Sequence, residues 1–262
     1  MTNDIFSLLK SHRSIRRYKP DPVPEELLQR ILDAARQAPT SSNLQSYSII
    51  VVTDQAKKTQ LAEYCGKQAW VAQCPVFLAL CPDLRRLERV CQLRGYKFSD
   101  RYIEMLLVAT VDTALVAQNI VVAAEASGLG ICLIGAIRNN PAPVSTLLRL
   151  PERVFPLVGM CLGYPDQQPM VKPRLPEPVV IHREEYNDAG LEALLAEYDR
   201  TIKATGLYDG PNRIIAAPDG RETPAADYSW TEHTARRAAT TNPASLRVHM
   251  REFLAERKIG LE

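Results

Sequence analysis

The chain has 262 residues and a formal net charge of +2, from 32 Lys+Arg against 30 Asp+Glu. It is long enough to bury a substantial core, and so even a charge balance excludes recognition of nucleic acid or anionic membrane through a global field; any anion must be met locally. The six cysteines (Cys65, Cys74, Cys81, Cys91, Cys132 and Cys161) stand far apart without a C-x-x-C pair. They read as buried thiols of a reducing compartment rather than disulfides or a zinc site, and no metal is expected.

At the N-terminus Asn3, Asp4, Ser7, Lys10 and Arg13 interrupt any apolar run, so a secretory leader is not expected and the chain reads as cytoplasmic. Ile5, Leu8 and Leu9 predict a short amphipathic helix after Asp4. A second helix follows Pro24, with Glu25 and Glu26 in its first turn, Leu27, Leu28, Ile31, Leu32 and Ala35 on one face, and Pro39 as its stop. Beyond the polar turn TSSN, the β-branched run SYSIIVVTD predicts a buried strand, and PVFLALCPD a second. Residues 83–97 predict a charged surface helix, and 101–127 a long buried one with Gly128 as its C-cap.

That long helix is apolar over nearly a membrane-spanning length. Asp112, Gln118, Asn119 and Glu125 break the run, which favours a soluble core or a dimer interface over a membrane. GICLIGAI and VFPLVGMCLGYP predict two further strands, with a helix from about Pro141 to Leu150 between them. The proline-rich PDQQPMVKPRLPEPVV should run extended. A helix at about 184–204, a Gly/Pro-rich loop of about 206–229 and one or two C-terminal helices complete the reading. The fold class is α+β: a mixed core over 1–165 with a C-terminal extension over 166–262 packed on it, one domain rather than two.

Four stretches carry candidate chemistry. HRSIRRY, from His12, puts a histidine, three arginines and a serine within six positions, a donor set suited to phosphate. On charge patterning alone such a run is more often a solvated face or a helix C-terminus. APTSSNLQSY, from Ala38, offers short hydroxyl and amide side chains between a helix and a strand. LIGAIRN, from Leu133, follows a strand with Gly135 permitting close backbone approach to a planar ligand. KPRLP places Lys172 and Arg174 on a rigid extended segment. Of the remaining histidines, His182, His233 and His249 have no ligand-spaced partners and read as structural or surface residues.

Taken in order and spacing, HRSIRRY, APTSSNLQ, VDTALVAQNIVVAAEASGLG, IGAIRNNP, FPLVGMCLGYP and KPRLP give a chain that resembles the nitroreductase family of flavoproteins, in the branch of NADPH-dependent, oxygen-insensitive nitroreductases and flavin reductases. The resemblance implies a mainly antiparallel central sheet flanked by helices, a homodimer with the long helix at its interface, and FMN as cofactor. It implies that His12, Arg13 and Ser14 reach the FMN phosphate and ribityl chain, joined by Lys172 and Arg174. Arg16 would lie at the pyrimidine edge of the ring, where a cation favours the charge that gathers on reduction. Thr40, Ser41 and Ser42 would line the ring or phosphate side, Gln68 would bond the pyrimidine edge, and Leu133, Ile134 and Gly135 would follow the other ring edge.

Glu104 matches a position at the active-site rim, where the alternative is an ordinary helix-face carboxylate. Arg213 and Arg221 are candidates for the NADPH 2′-phosphate. The implied activity is ping-pong hydride transfer from NADPH or NADH to FMN, then to nitroaromatics, quinones, chromate or free flavin. Two alternatives stay open from the residues alone: a protein that binds or stores flavin without nicotinamide turnover, and a phosphate-binding module with no redox role. The sequence departs from the family pattern at Ala136, Leu133 and the long, weakly basic loop over 206–229.

Overall fold

A computed structural model describes residues 4–99, 101–210 and 214–262. The first of its two compact units comprises residues 1–171 and 247–262, the second Lys172–Leu246. Helix α1 (Ile5–Lys10) is capped by the Asp4 carboxylate, which accepts the Phe6 and Ser7 amides. Helix α2 (Glu25–Ala35) buries Leu28, Ile31 and Ala35. Then come β1 (Tyr47–Val52), α3 (Gln55–Tyr64), α4 (Ala69–Gln73), β2 (Val76–Pro82), α5 (Arg85–Leu93), the 23-residue α6 (Glu104–Ala126), β3 (Gly130–Ile134), α7 (Pro141–Leu147) and β4 (Val158–Gly163).

The four strands form one antiparallel sheet in the order β1-β2-β4-β3. Its register sets Tyr47 opposite Pro82, Val76 opposite Leu162, and Cys132 opposite Cys161. All seven residues of β2 are buried because helices cover both faces of the sheet. On one face Val76, Leu78 and Leu80 pack with Leu28 and Ile31 of α2 and Val116, Ile120 and Ala124 of α6. On the other, Phe77, Ala79, Cys81, Cys132 and Cys161 pack with Leu61 of α3, Val71 of α4 and Val144 of α7. Five cysteines are buried and Cys91 is half-buried; none is in a disulfide.

Helix α6 is long and apolar enough, by length and composition, to cross a membrane. Here one of its sides is a core face, while Leu107, Val111 and Leu115 form an exposed apolar stripe at four-residue spacing. It ends with Gly128 at φ +78, the left-handed position that the sequence assigned to it.

The second unit contains α8 (Glu177–Val180), α9 (Leu191–Lys203), α10 (Trp230–Ala238) and α11 (Pro243–Leu246). The helix expected from about residue 184 starts only at Leu191, because Gly190 at φ +78 turns the chain just before it. The short α8 lies within the stretch expected to be extended, where Pro178 occupies the first turn and loses no hydrogen bond. Helix α12 (Met250–Glu256) returns to the first unit, where Phe253 and Leu254 pack with Leu84, Ala109 and Phe155.

Candidate functional site

The basic segment lies along β3. Ser14 forms a parallel bridge with Ile131, and the Ile15 amide donates to the Ile131 carbonyl at 2.8 Å. The approach depends on Gly130, since a Cβ there would stand 2.5 Å from Ile15 Cγ1. His12 Nδ1 meets Glu125 Oε1 of α6 at 2.6 Å. Arg13 folds back to the carbonyls of Ser11 and Pro169, at 3.1 and 3.3 Å. Beside it is a hollow of about 520 Å³ bordered by Arg13, Ile15, Glu125, Gly128, Gly130 and Asp166.

Arg16 is exposed, with its guanidinium 5.7 Å from the centre of the Trp70 ring. The Trp70 Nε1–H is buried and has no hydrogen-bond partner. Gln68, two positions before Trp70, is the N-cap residue of α4 and makes no side-chain cap bond. Leu133 is 48% exposed while Ile134 is buried, so β3 turns one apolar side chain outward just before Gly135. The structure thus brings together the basic segment, the start of α4 and the β3 strand. The Tyr18 hydroxyl donates to the Ile15 carbonyl at 2.7 Å, and burial, with Cys161, Cys132 and Cys74 close by, pushes its phenol well up.

A second group is built around residues 40–46. Ser42, Asn43 and Gln45 have φ of 47°, 57° and 52°, a run of left-handed non-glycine residues. Asp112 of α6, with no solvent exposure, accepts the Ser41 amide at 2.9 Å, the Ser46 amide at 3.0 Å and the Ser46 hydroxyl at 2.7 Å. From the other side Arg86 donates to the Gln45 and Tyr47 carbonyls at 2.7 and 3.1 Å and to Ser48 Oγ at 3.0 Å. Asp83 orients Arg86, accepting from its Nη2 at 3.3 Å. Thr40 is half-buried, Ser41 and Ser42 are exposed, and Glu104, the first residue of α6, is exposed on the helix that carries Asp112.

In the second unit Arg174 donates to the Lys172 carbonyl at 2.8 Å, and the Tyr198 hydroxyl donates to the Pro173 carbonyl at 2.9 Å. Lys172, Arg174, Tyr198, Tyr208 and Trp230 border a hollow of about 560 Å³. Arg221 Nε lies 3.0 Å from Asp219 Oδ2, and Arg213 falls outside the described residues. Asp112, Glu125, Trp70 and Arg86 shape these groups without having been singled out as site residues. Asp112 and Glu125 had a visible signal, as carboxylates inside an otherwise apolar helix; Trp70 and Arg86 had none.

The chain as a whole matches a known family. The nitroreductase family profile matches residues 9–164 and the nitroreductase C-terminal domain profile residues 172–262, so the chain belongs to the nitroreductase family. It is 42% identical over 204 residues to the NADPH-flavin oxidoreductase of Vibrio harveyi, covering 78% of this chain and 82% of that one. It is 36% identical over 253 residues to the Cr(VI) reductase of Pseudomonas sp. (strain G-1), covering 97% and 98%. Its fold superposes on the NADPH:FMN oxidoreductase from Vibrio harveyi complexed with NAD+ with a TM-score of 0.82 at 34% identity, covering 97% and 98%.

Proposed function

We propose that the chain is an FMN-dependent NAD(P)H oxidoreductase that transfers hydride in a ping-pong cycle to nitroaromatics, quinones, chromate or free flavin. The observation that carries this reading is the seating of the basic segment on β3, with Gly130 left bare so that Ser14 and Ile15 lie flush on the strand that leads to Gly135. The donor set fits the cofactor: several cations and a hydroxyl suit a phosphate, and an exposed apolar Leu133 beside a glycine suits a planar ring. The orphaned Trp70 N–H leaves a buried donor unmatched beside Arg16.

Bound FMN supplies a two-electron centre that accepts hydride from the nicotinamide and returns it to an acceptor. The protein's part is binding, orientation and electrostatics. His12, Arg13 and Ser14 would hold the phosphate and ribityl end, and the family resemblance implies Lys172 and Arg174 as further phosphate donors. Arg16, braced on Trp70, supplies positive charge at the pyrimidine edge, which favours the reduced state. Gln68 bonds that edge, Leu133, Ile134 and Gly135 follow the ring, and Thr40, Ser41 and Ser42 furnish hydroxyls to the wall. Glu104 stands at the rim, and Arg221 is the described candidate for the 2′-phosphate. The exposed stripe Leu107, Val111 and Leu115 is covered in a cytoplasmic homodimer.

Steady-state kinetics test the cycle. Varying NADPH at several fixed concentrations of a quinone or nitroaromatic should give parallel double-reciprocal lines, and activity should disappear on flavin removal and return with FMN. Intersecting lines would refute ping-pong transfer. Flavin binding without NADPH oxidation would leave the storage alternative in its place.

A further inference from the structure

We propose that Asp112 is a positioning residue, which fixes the loop over residues 40–46 as a wall of the site; this rests on the oxidoreductase reading given above. Asp112 is fully buried in the middle of α6, and its three bonds at 2.7–3.0 Å all come from uncharged donors, two backbone amides and one hydroxyl. An ionised carboxylate accepts only, and it uses both oxygens here. If the loop lifted away, a charge would be stranded in the core without its donors, so loop and carboxylate must stay together.

The loop needs such a clamp. Three of its residues occupy left-handed φ values, and none of the three is glycine. Ser41 has its amide taken by Asp112, and Ser41 and Ser42 are both exposed. The clamp also sets a distance: Glu104 stands two turns before Asp112 on the same helix, about 12 Å along its axis. A shift of the loop would therefore change the spacing between the serine hydroxyls and the rim carboxylate.

The experiment compares Asp112→Ala, Asp112→Asn and Ser46→Ala with the wild-type holoenzyme. Its readouts are amide exchange over residues 40–46, FMN titration, and KM and kcat for NADPH and a quinone. Asp112→Ala should speed exchange in the loop about tenfold or more and raise KM or weaken FMN binding about tenfold, with kcat of the saturated enzyme changed less than about threefold. Asn keeps one good acceptor and should recover part of this loss; Ser46→Ala, missing one bond of three, should show about a threefold effect.

Wild-type loop exchange and KM in folded Asp112→Ala protein would overturn the proposal. So would a loss in which kcat, KM and global stability fall together with no rescue by Asn. If neither Asp112 variant folds, Ser46→Ala decides, and wild-type behaviour there counts against the proposal. If the wild type takes up no FMN, the oxidoreductase reading fails, while loop exchange in the flavin-free proteins still tests Asp112.

Discussion

Two polar loops of this chain are held in opposite ways. The loop over residues 40–46 is fastened by Asp112, which is 71 positions from Ser41 and 66 from Ser46, and by Arg86, 41 positions from Gln45. In the loop over 206–229 the described anchors lie on either side of its tip: Arg236 donates to the Ile215 carbonyl at 2.6 Å, the Tyr228 hydroxyl accepts the Ile215 amide at 3.2 Å, and Lys203 donates to the Ala225 carbonyl at 2.6 Å. Its tip is tied locally: Arg221 pairs with Asp219, two residues away, through both its amide and its guanidinium. Long-range anchors set a geometry before any ligand arrives. Local pairs leave the cation neutralised by its own neighbour, so a phosphate must compete with a carboxylate to reach it.

The largest effect that separates the two regions should come from alkali. Burial pushes the Cys65 and Cys81 thiols up to about 12, and all six cysteines belong to the unit that carries the first loop. An unfolded thiol ionises near pH 8.5, so between about pH 9 and 12 the unfolded chain has lost protons that the native one keeps. Stability of the first unit therefore falls through that window, by on the order of several kcal/mol at its top. Urea midpoints at pH 8 and pH 10.5 check this, and Cys65→Ala with Cys81→Ala should flatten the dependence.

Next in size, Arg86→Ala removes four side-chain bonds and leaves the buried Asp83 short of a partner. A loss of about 1–3 kcal/mol in a denaturant melt is expected, with faster amide exchange over residues 40–46. Arg174→Ala should weaken FMN retention by about 1.5–3 kcal/mol, the scale of a charged hydrogen bond, as read by fluorescence titration; unchanged FMN affinity would remove Arg174 from the phosphate donors. The smallest change is Asp219→Asn, which releases Arg221. The KM for NADPH should drop about two- to fivefold with NADH unaffected, and equal shifts for both nucleotides would exclude Arg221 from the 2′-phosphate.

The four strands were legible because each is a short apolar or β-branched run bounded by turn residues, and α2 because its apolar face repeats at helical spacing. Helices α3 and α4 were not: QAKKTQLAEY has few apolar residues at helical spacing, and only Asp54, which caps it by accepting the Lys57 amide at 2.8 Å, advertised a helix start. The helix expected from about residue 184 lost about two turns to Asn187, Asp188 and Gly190, turn-forming residues that were in plain view. Among the candidate site residues, the basic segment and Gly135 stood out in the sequence because their chemistry is local. The role of Asp112 could not, since it was visible only as a charge in an apolar helix while its partners lie in a distant loop. The brace of Trp70 under Arg16 was hidden for the same reason.

The measurement that bears most directly on the oxidoreductase account is an absorbance spectrum of the purified protein, followed by anaerobic addition of NADPH and, separately, NADH. A bound-flavin spectrum that bleaches with one equivalent of NADPH is the expected result, and the ratio of the two bleaching rates gives the nicotinamide preference. A spectrum without flavin, unchanged after reconstitution with FMN, would contradict the account and mean that the segment from His12 to Arg17 grips a different anion.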